Sequence, residues 1–284
     1  MRSRCVRRWT RLPAVAVVIA LSGWLAICAK TVAGDGPEAI AWSSLRGRIT
    51  VSGELPEIEN ERIPPGQAIC IAGGLGMPDD NLKISPDRGL ADVFVILQAT
   101  APDASLPIHP DLVAASSEPA RIQFFNCRIR PHAIIVRCGQ PIEILNRDPV
   151  GHLCRIQTLN NEAYLRLMHD SRSEIRFDRV DPVPGTIRCD IHRWMDGVIL
   201  VRNDPYAVLT DDEGRFQMNR VPAGHWRLSF WHRQAGYLAS LETDVAPVDR
   251  KGGIEIDVSG ARPLDLGRLT FPASEFRKRA EEKP

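Results

Sequence analysis

Beyond the N-terminal stretch, apolar and polar residues alternate with a period near two rather than 3.6, as half-buried strands do. Leu45-Arg-Gly-Arg-Ile-Thr-Val51 alternates and is closed by Ser52-Gly53, whereas Ala91-Asp-Val-Phe-Val-Ile-Leu97 is a buried-type run. From Ala120 the strand-like segments come quickly, at 121–125, 133–137, 141–146, 153–157, 173–178, 185–189 and 197–202. Short strands at this spacing, with turn residues between them, predict a sandwich. Residues 54–81, rich in Pro, Glu, Asp and Gly, and 101–119, rich in Pro, Ala and Ser, read as loops. One short helix is expected within 160–172, carrying Met168 and His169.

A second set of strands starts near Asn203. Thr210-Asp-Asp-Glu-Gly214 is the expected hairpin turn between 206–209 and 215–218, and Val221-Pro-Ala-Gly224 turns the chain into His225-Trp-Arg-Leu-Ser-Phe-Trp231. The fold class is therefore all-β, one sandwich followed by a smaller one. The expected division is a leader at 1–33, an N-terminal extension at 34–120 giving strands and long loops to the first domain, that domain at 121–202, the second at 203–273, and a flexible tail at 274–284. Only Asn203-Asp204-Pro205 separates the two domains, and proline stiffens that link, so a fixed mutual angle is expected.

The first 11 residues hold five arginines and no acid, 12–29 are uncharged and largely apolar, and Thr31-Val-Ala33 offers small residues for cleavage. That is the pattern of a secretory signal peptide. An uncleaved membrane anchor is the alternative, the run lying at the lower edge of bilayer-spanning length. Without 1–33 about 30 basic residues face 35 acidic ones, a net charge of about −5 that makes no case for nucleic-acid binding. An exported chain also meets an oxidising compartment.

The densest chemistry lies in Cys189-Asp-Ile-His192-Arg-Trp-Met195, between strand-like 185–189 and the apolar run Val198-Ile-Leu-Val201. A tight loop between two strands can aim a thiolate, an imidazole and a thioether at one point. Only a soft or borderline metal takes such a set, and Cys with two His and a long axial Met is the mononuclear blue-copper arrangement. The second imidazole is expected from His152, in Asp148-Pro-Val-Gly-His152. Zinc would have little use for Met195. If Cys189 binds metal, four exported cysteines remain, Cys70, Cys127, Cys138 and Cys154, and they allow three pairings. Cys70–Cys127 with Cys138–Cys154 is preferred among them. Cys154 shares a strand face with His152, so a fifth-ligand role stands beside a disulfide or a buried thiol.

Cys-x2-His-x2-Met, with Val136-Arg-Cys-Gly-Gln-Pro-Ile-Glu-Ile-Leu-Asn146 and then His152 upstream, resembles the amicyanin type of cupredoxin over roughly 121–202. Cys-x-Ile-His-x-Trp-Met followed by Pro-Tyr-Ala-Val-x-Thr-Asp is similar to a group of exported bacterial cupredoxin-like proteins. Thr-Asp-x-x-Gly-x-Phe followed by Pro-Ala-Gly, within 203–273, resembles the carboxypeptidase-regulatory or transthyretin-like β-sandwich. The resemblance implies a single copper held by His152, Cys189, His192 and Met195. Cupredoxins usually place Asn directly after the first His, to brace the Cys loop; here that position is Leu153.

Other chemistries lack their motifs. There is no His-x-His pair for a trinuclear copper cluster, no second Cys in the loop for a dinuclear centre, and no Gly-x-Ser-x-Gly, glycine-rich phosphate loop or Cys-x-x-Cys. Three strong ligands and one weak one leave no open position for substrate, so electron transfer rather than catalysis is expected. His192, with Arg193 and Trp194 beside it, is the expected electron port, and Arg193 suits a redox partner protein with an acidic patch. A non-redox envelope protein, binding a glycan or a protein through its loops, is the rival. Membrane contact is expected only through an uncleaved N-terminal anchor.

Overall fold

A computed structural model describes residues 40–57, 60–61, 63, 77–78, 80–101, 104–113, 117–260 and 262–276. The leader, Cys70 and most of the expected tail lie outside these. The chain runs through β1 (Trp42–Ser52), the two-residue strands β2 (Asn60–Glu61) and β3 (Met77–Pro78), β4 (Phe94–Ala99) and the one-turn helix α1 (Pro110–Val113). It continues with β5 (Ala120–Phe125), β6 (Arg128–Arg130), β7 (Ala133–Arg137), β8 (Ile142–Asn146), β9 (His152–Gln157), β10 (Glu162–Leu167), β11 (Arg172–Ile175), β12 (Gly185–Cys189) and β13 (Asp196–Arg202). Last come β14 (Ala207–Leu209), β15 (Arg215–Pro222), β16 (Gly224–His232), β17 (Gly236–Tyr237), β18 (Gly253–Val258) and β19 (Leu264–Pro272). The molecule is all-β, with no helix among the described residues long and apolar enough to cross a membrane.

Strands β5 to β13 form one sandwich. Its sheets are ordered β10-β9-β12-β13-β7 and β11-β8-β5-β6, with β13 parallel to β7 and β5 parallel to β8. Inward positions of both sheets, among them Ile122, Phe124, Ile144, Ile156, Ile187, Ile199 and Val201, make its core. The short helix expected within 160–172 does not form. Glu162-Ala-Tyr-Leu-Arg-Leu167 alternates with a period of two, turning Ala163, Leu165 and Leu167 inward, and pairs with β9 as β10.

The second sandwich departs from the expected boundaries. Strand β1 lies between β15 and β19, antiparallel to the first and parallel to the second, and β4 lies between β14 and β16. Residues 34–120 therefore do not give these strands to the first sandwich. Leu45, Ile49, Val51, Val95 and Leu97 share one core with Phe216, Leu228, Phe230, Ile254 and Phe271. The first sandwich is thus inserted into the second between β4 and β14. The expected hairpin at 210–214 is also different, because it is a tight turn whose two strands enter different sheets. Gly214 is required there: it has φ 76°, and a Cβ would lie 2.2 Å from the Ile49 carbonyl oxygen of β1.

The two apolar runs of the sequence are explained where the sandwiches meet. In β13, Ile199 and Val201 face the first core while Val198 and Leu200 face outward; in β4, Val95 and Leu97 face the second core while Phe94 and Ile96 face outward. The outward sets meet, with Ala133 and Ala207, in a third apolar cluster. A strand buried on both faces reads as a continuous apolar run rather than an alternating one. Each large side chain so buried stabilises the docking by roughly 1.5–3 kcal/mol, which holds the sandwiches in one arrangement.

Candidate metal centre

His152 opens β9, Cys189 closes β12, and His192 and Met195 lie on the loop that leads into β13, all at one end of the five-stranded sheet. The loop is closed by its own backbone. Met195 N–H donates to the His192 carbonyl at 2.9 Å, and Cys189 N–H donates to the Met195 carbonyl at 3.0 Å. Asp190 N–H donates to the Leu153 carbonyl at 2.9 Å, tying the loop to β9. The bracing assigned to an Asn side chain in the cupredoxin pattern is here made in part by the main chain of Leu153.

Three donor atoms converge. The two Nδ1 atoms of His152 and His192 are 2.9 Å apart, and each lies 3.6 Å from Cys189 Sγ. The point equidistant from these corners lies about 2 Å from each, the distance at which imidazole nitrogen binds a first-row ion. His152, Cys189 and His192 are the one such group of His, Cys, Asp and Glu among the described residues. Met195 is buried in the same core cluster as Cys189.

Asp148 and Asn146 are the supporting residues that the sequence reading missed. His152 Nε2–H donates to Asp148 Oδ2 at 2.9 Å, which leaves the Nδ1 lone pair free to face the centre. The same carboxylate oxygen accepts the Cys127 N–H at 3.1 Å. Asn146 is fully buried: its Oδ1 accepts the Asp148 N–H, and its amide donates to the Val150, Leu167 and Met168 carbonyls. An acid four residues before His152 was the available signal. Its meaning depended on the Asn146–Gly151 turn closing on itself.

The electrostatics shift the three donors differently, lowering the Cys189 thiol and the His192 imidazole and raising the His152 imidazole. Burial alone would push the Cys189 thiol up, but the hydrogen bond with His152 and the backbone N–H groups of His192, Ile191 and Leu153 bring it below the ordinary thiol value. Burial also works against a charged His152, yet its bonds to Asp148 and Cys189 outweigh that and raise it. His192 is lowered, by burial first and then by His152. A soft thiolate, two imidazoles held by Nδ1 and a thioether on the same loop fit copper, and the donor set leaves the thioether unused if zinc is supposed.

The remaining expected residues are placed as follows. His192 is 5% exposed, Arg193 is exposed, and Trp194 is half-buried. The Trp194 ring lies 5.2 Å from that of His192, and its Nε1–H donates to the Cys127 carbonyl. Met168 points into solvent at 61% exposure, so it is neither ligand nor core packing, and His169 Nδ1–H donates to the Asp148 carbonyl. His225 is exposed between Asp257 and Glu255, and His232 is buried. Cys127 is disulfide-bonded, and Cys70, its preferred partner, lies outside the described residues. The preferred Cys138–Cys154 bridge does not form, and both are free thiols. Cys138 follows β7 and Cys154 lies on β9, with β13 and β12 between, a separation of about 14 Å at ordinary strand spacing against the ~7 Å limit for Cα atoms of a disulfide. Burial, then the charges of Cys189 and Asp190, push the Cys154 thiol up to about 12, and Cys154 is not among the converging donors.

The sequence matches no protein-family model and no curated protein. Among solved structures it is similar to the copper-containing nitrite reductase of Thermus scotoductus, at 21% identity and TM-score 0.27, covering 37% of this chain and 25% of that one. It is similar to the purple cupredoxin of Nitrosopumilus maritimus at 19% identity and TM-score 0.25, covering 29% and 98%, and to amicyanin of Paracoccus versutus at 14% and 0.27, covering 37% and 97%. Likenesses of this size carry no weight beyond the strand pairing and donor geometry described above.

Proposed function

We propose that this chain is an exported type 1 copper protein that passes single electrons by outer-sphere exchange, and is not an enzyme. The observation that carries the reading is the Nδ1, Nδ1, Sγ triangle, with Asp148 fixing the tautomer of His152 and the loop backbone pinning Met195. Bound copper would supply a one-electron couple. His152 and His192 would hold it through Nδ1, Cys189 through its thiolate and Met195 weakly through its thioether. A pocket set by two strands and a self-bonded loop changes little with oxidation state, and its burial excludes water.

The small exposed edge of His192 is the electron port in this reading. Ile191 is 45% exposed beside it, and Phe125 at the end of β5 and Met168 just after β10 are exposed too, an apolar collar for a transient partner. Arg193 favours a partner with an acidic rim. The second sandwich, read as carboxypeptidase-regulatory-like, is the fixed mount of this module. The test is elemental and optical analysis of the exported protein. We expect one copper per chain and an intense visible band that Cys189→Ser removes while the fold stays. A chain that remains colourless after copper loading sinks the proposal and favours a non-redox envelope role.

A further inference from the structure

Cys154 has no part in the site as described, yet it lies directly opposite Cys189 in the β9–β12 ladder. The pairing is of the narrow kind. Cys189 sends its N–H to Met195 on the β13 side, and the next pair along, Asp190 with Leu153, carries the hydrogen bond between β9 and the Cys loop. The Cys154/Cys189 pair is therefore the non-hydrogen-bonded one, where Cα atoms sit about 4.5 Å apart and side chains are closest. Directly opposed residues point to the same face, and both side chains enter the same core cluster, Cys154 at 0% and Cys189 at 1% exposure. About 4.5 Å between Cα atoms lies within the range a disulfide spans, so the backbone need not move to bridge them. Both are free thiols.

We propose that Cys154 is a built-in disulfide partner of Cys189: in the metal-free chain the two close into a cross-strand disulfide that abolishes copper uptake, and bound copper protects against it. The consequence for uptake rests on the copper reading of Cys189; the bond itself does not. The oxidant is a disulfide, of a small molecule or of a thiol oxidoreductase. The Cys189 thiolate attacks one of its sulfurs, forming a mixed disulfide and releasing the first thiolate, which takes up the Cys189 proton. Cys154 then gives up its proton, attacks the Cys189 sulfur and expels the second thiol. In all, the two protein thiols lose two electrons and two protons, and the oxidant gains them as two thiols. Given the burial of both sulfurs, the step waits on opening of the 190–195 loop, so its extent rather than its rate is read.

The experiment uses the full exported chain, stripped of metal and incubated with oxidised glutathione, followed by peptide mapping and copper titration. We expect a cross-linked peptide pair containing Cys154 and Cys189, copper uptake reduced at least tenfold, recovery after dithiothreitol, and no link in chain loaded with copper beforehand. Cys154→Ala should give no intramolecular link while still binding copper when reduced. Glutathione on Cys189 with Cys154 left as a free thiol overturns the proposal, and so does full copper uptake by the oxidised chain. A link in a chain that never binds copper when reduced would instead leave the dithiol standing and remove the copper reading.

Discussion

Asp148 does two jobs with one oxygen: it accepts from His152 Nε2 and from the Cys127 main chain, so the first imidazole is oriented by a group that is itself oriented by the β5–β6 hairpin. Partners of this kind typically account for 10–100-fold in metal affinity. Asp148→Ala should thus weaken copper binding by roughly that factor in a competition titration with a chelator of known affinity. It also leaves the buried Cys127 N–H without its acceptor, and such a group costs about 1–3 kcal/mol, so a lower unfolding midpoint should accompany the loss. An unchanged affinity would mean that His152 is held by its packing against Phe124, whose ring lies 5.0 Å away, rather than by the carboxylate.

Among the elements, those built from neighbours in sequence were legible and those built across distance were not. The loop from Cys189 to Met195 could be read because its residues meet within one turn, and β13 because its apolar run sits between clear turns. The strand at 162–167 lies inside the segment expected to hold a short helix, although its residues alternate. The partners of β1 were invisible: its alternation says that one face is buried but not against what, and β19 joins it across 219 residues in the Arg46–Asp265 pair. These pairings decide the result of truncation. A chain ending at Arg202 strips β1 of β15 and β19, and β4 of β14 and β16, exposing Leu45, Ile49, Val95 and Leu97. Such a chain should aggregate. The excised segment 119–203 keeps both of its sheets and should fold and bind copper, while self-associating through Val198 and Leu200; ultracentrifugation and copper titration distinguish the two outcomes.

At the scale of the whole molecule, the seam between the sandwiches is apolar in the middle and charged at one end. Arg233 of the second sandwich donates to Asp196, the residue after Met195, at 2.7 Å, while Asp92 lies 2.9 Å from Lys83 and 3.3 Å from His132. Burial would raise the Asp92 carboxyl, but His132 and Lys83 hold it down at about 2. His232 is buried and its pKa is pushed down to about 3 by that burial. Unfolded, this imidazole takes up a proton near pH 6.5, so between pH 6.5 and 3 the unfolded state binds a proton that the folded state refuses. Stability should therefore be full above pH 6.5 and fall by as much as ~1.4 kcal/mol per unit of acidification below it. Loss of the Asp92 contribution, roughly 2 kcal/mol, should follow as pH drops below ~4 towards 2. Denaturant midpoints measured from pH 7 to 4 should show this slope, and His232→Asn should flatten it; a pH-independent midpoint in the parent protein would contradict the assignment.

The seating of β1 between β15 and β19 also sets an order in time. As the chain emerges N-terminus first, β1 and β4 are made early and have nothing to pair with, while everything the metal pocket needs is complete once Arg202 has appeared. Local pairings close quickly and distant ones slowly, because a long loop must be closed before its contacts repay it. The pocket is thus finished while its mount is still open, and metal capture can precede completion of the protein. In refolding from denaturant, competence to take up copper should return in a faster phase than protection of the β1 amides against hydrogen exchange. For that interval the apolar edges of β1 and β4 stand bare, and those strands, not the copper loop, are where a holding chaperone would have to bind.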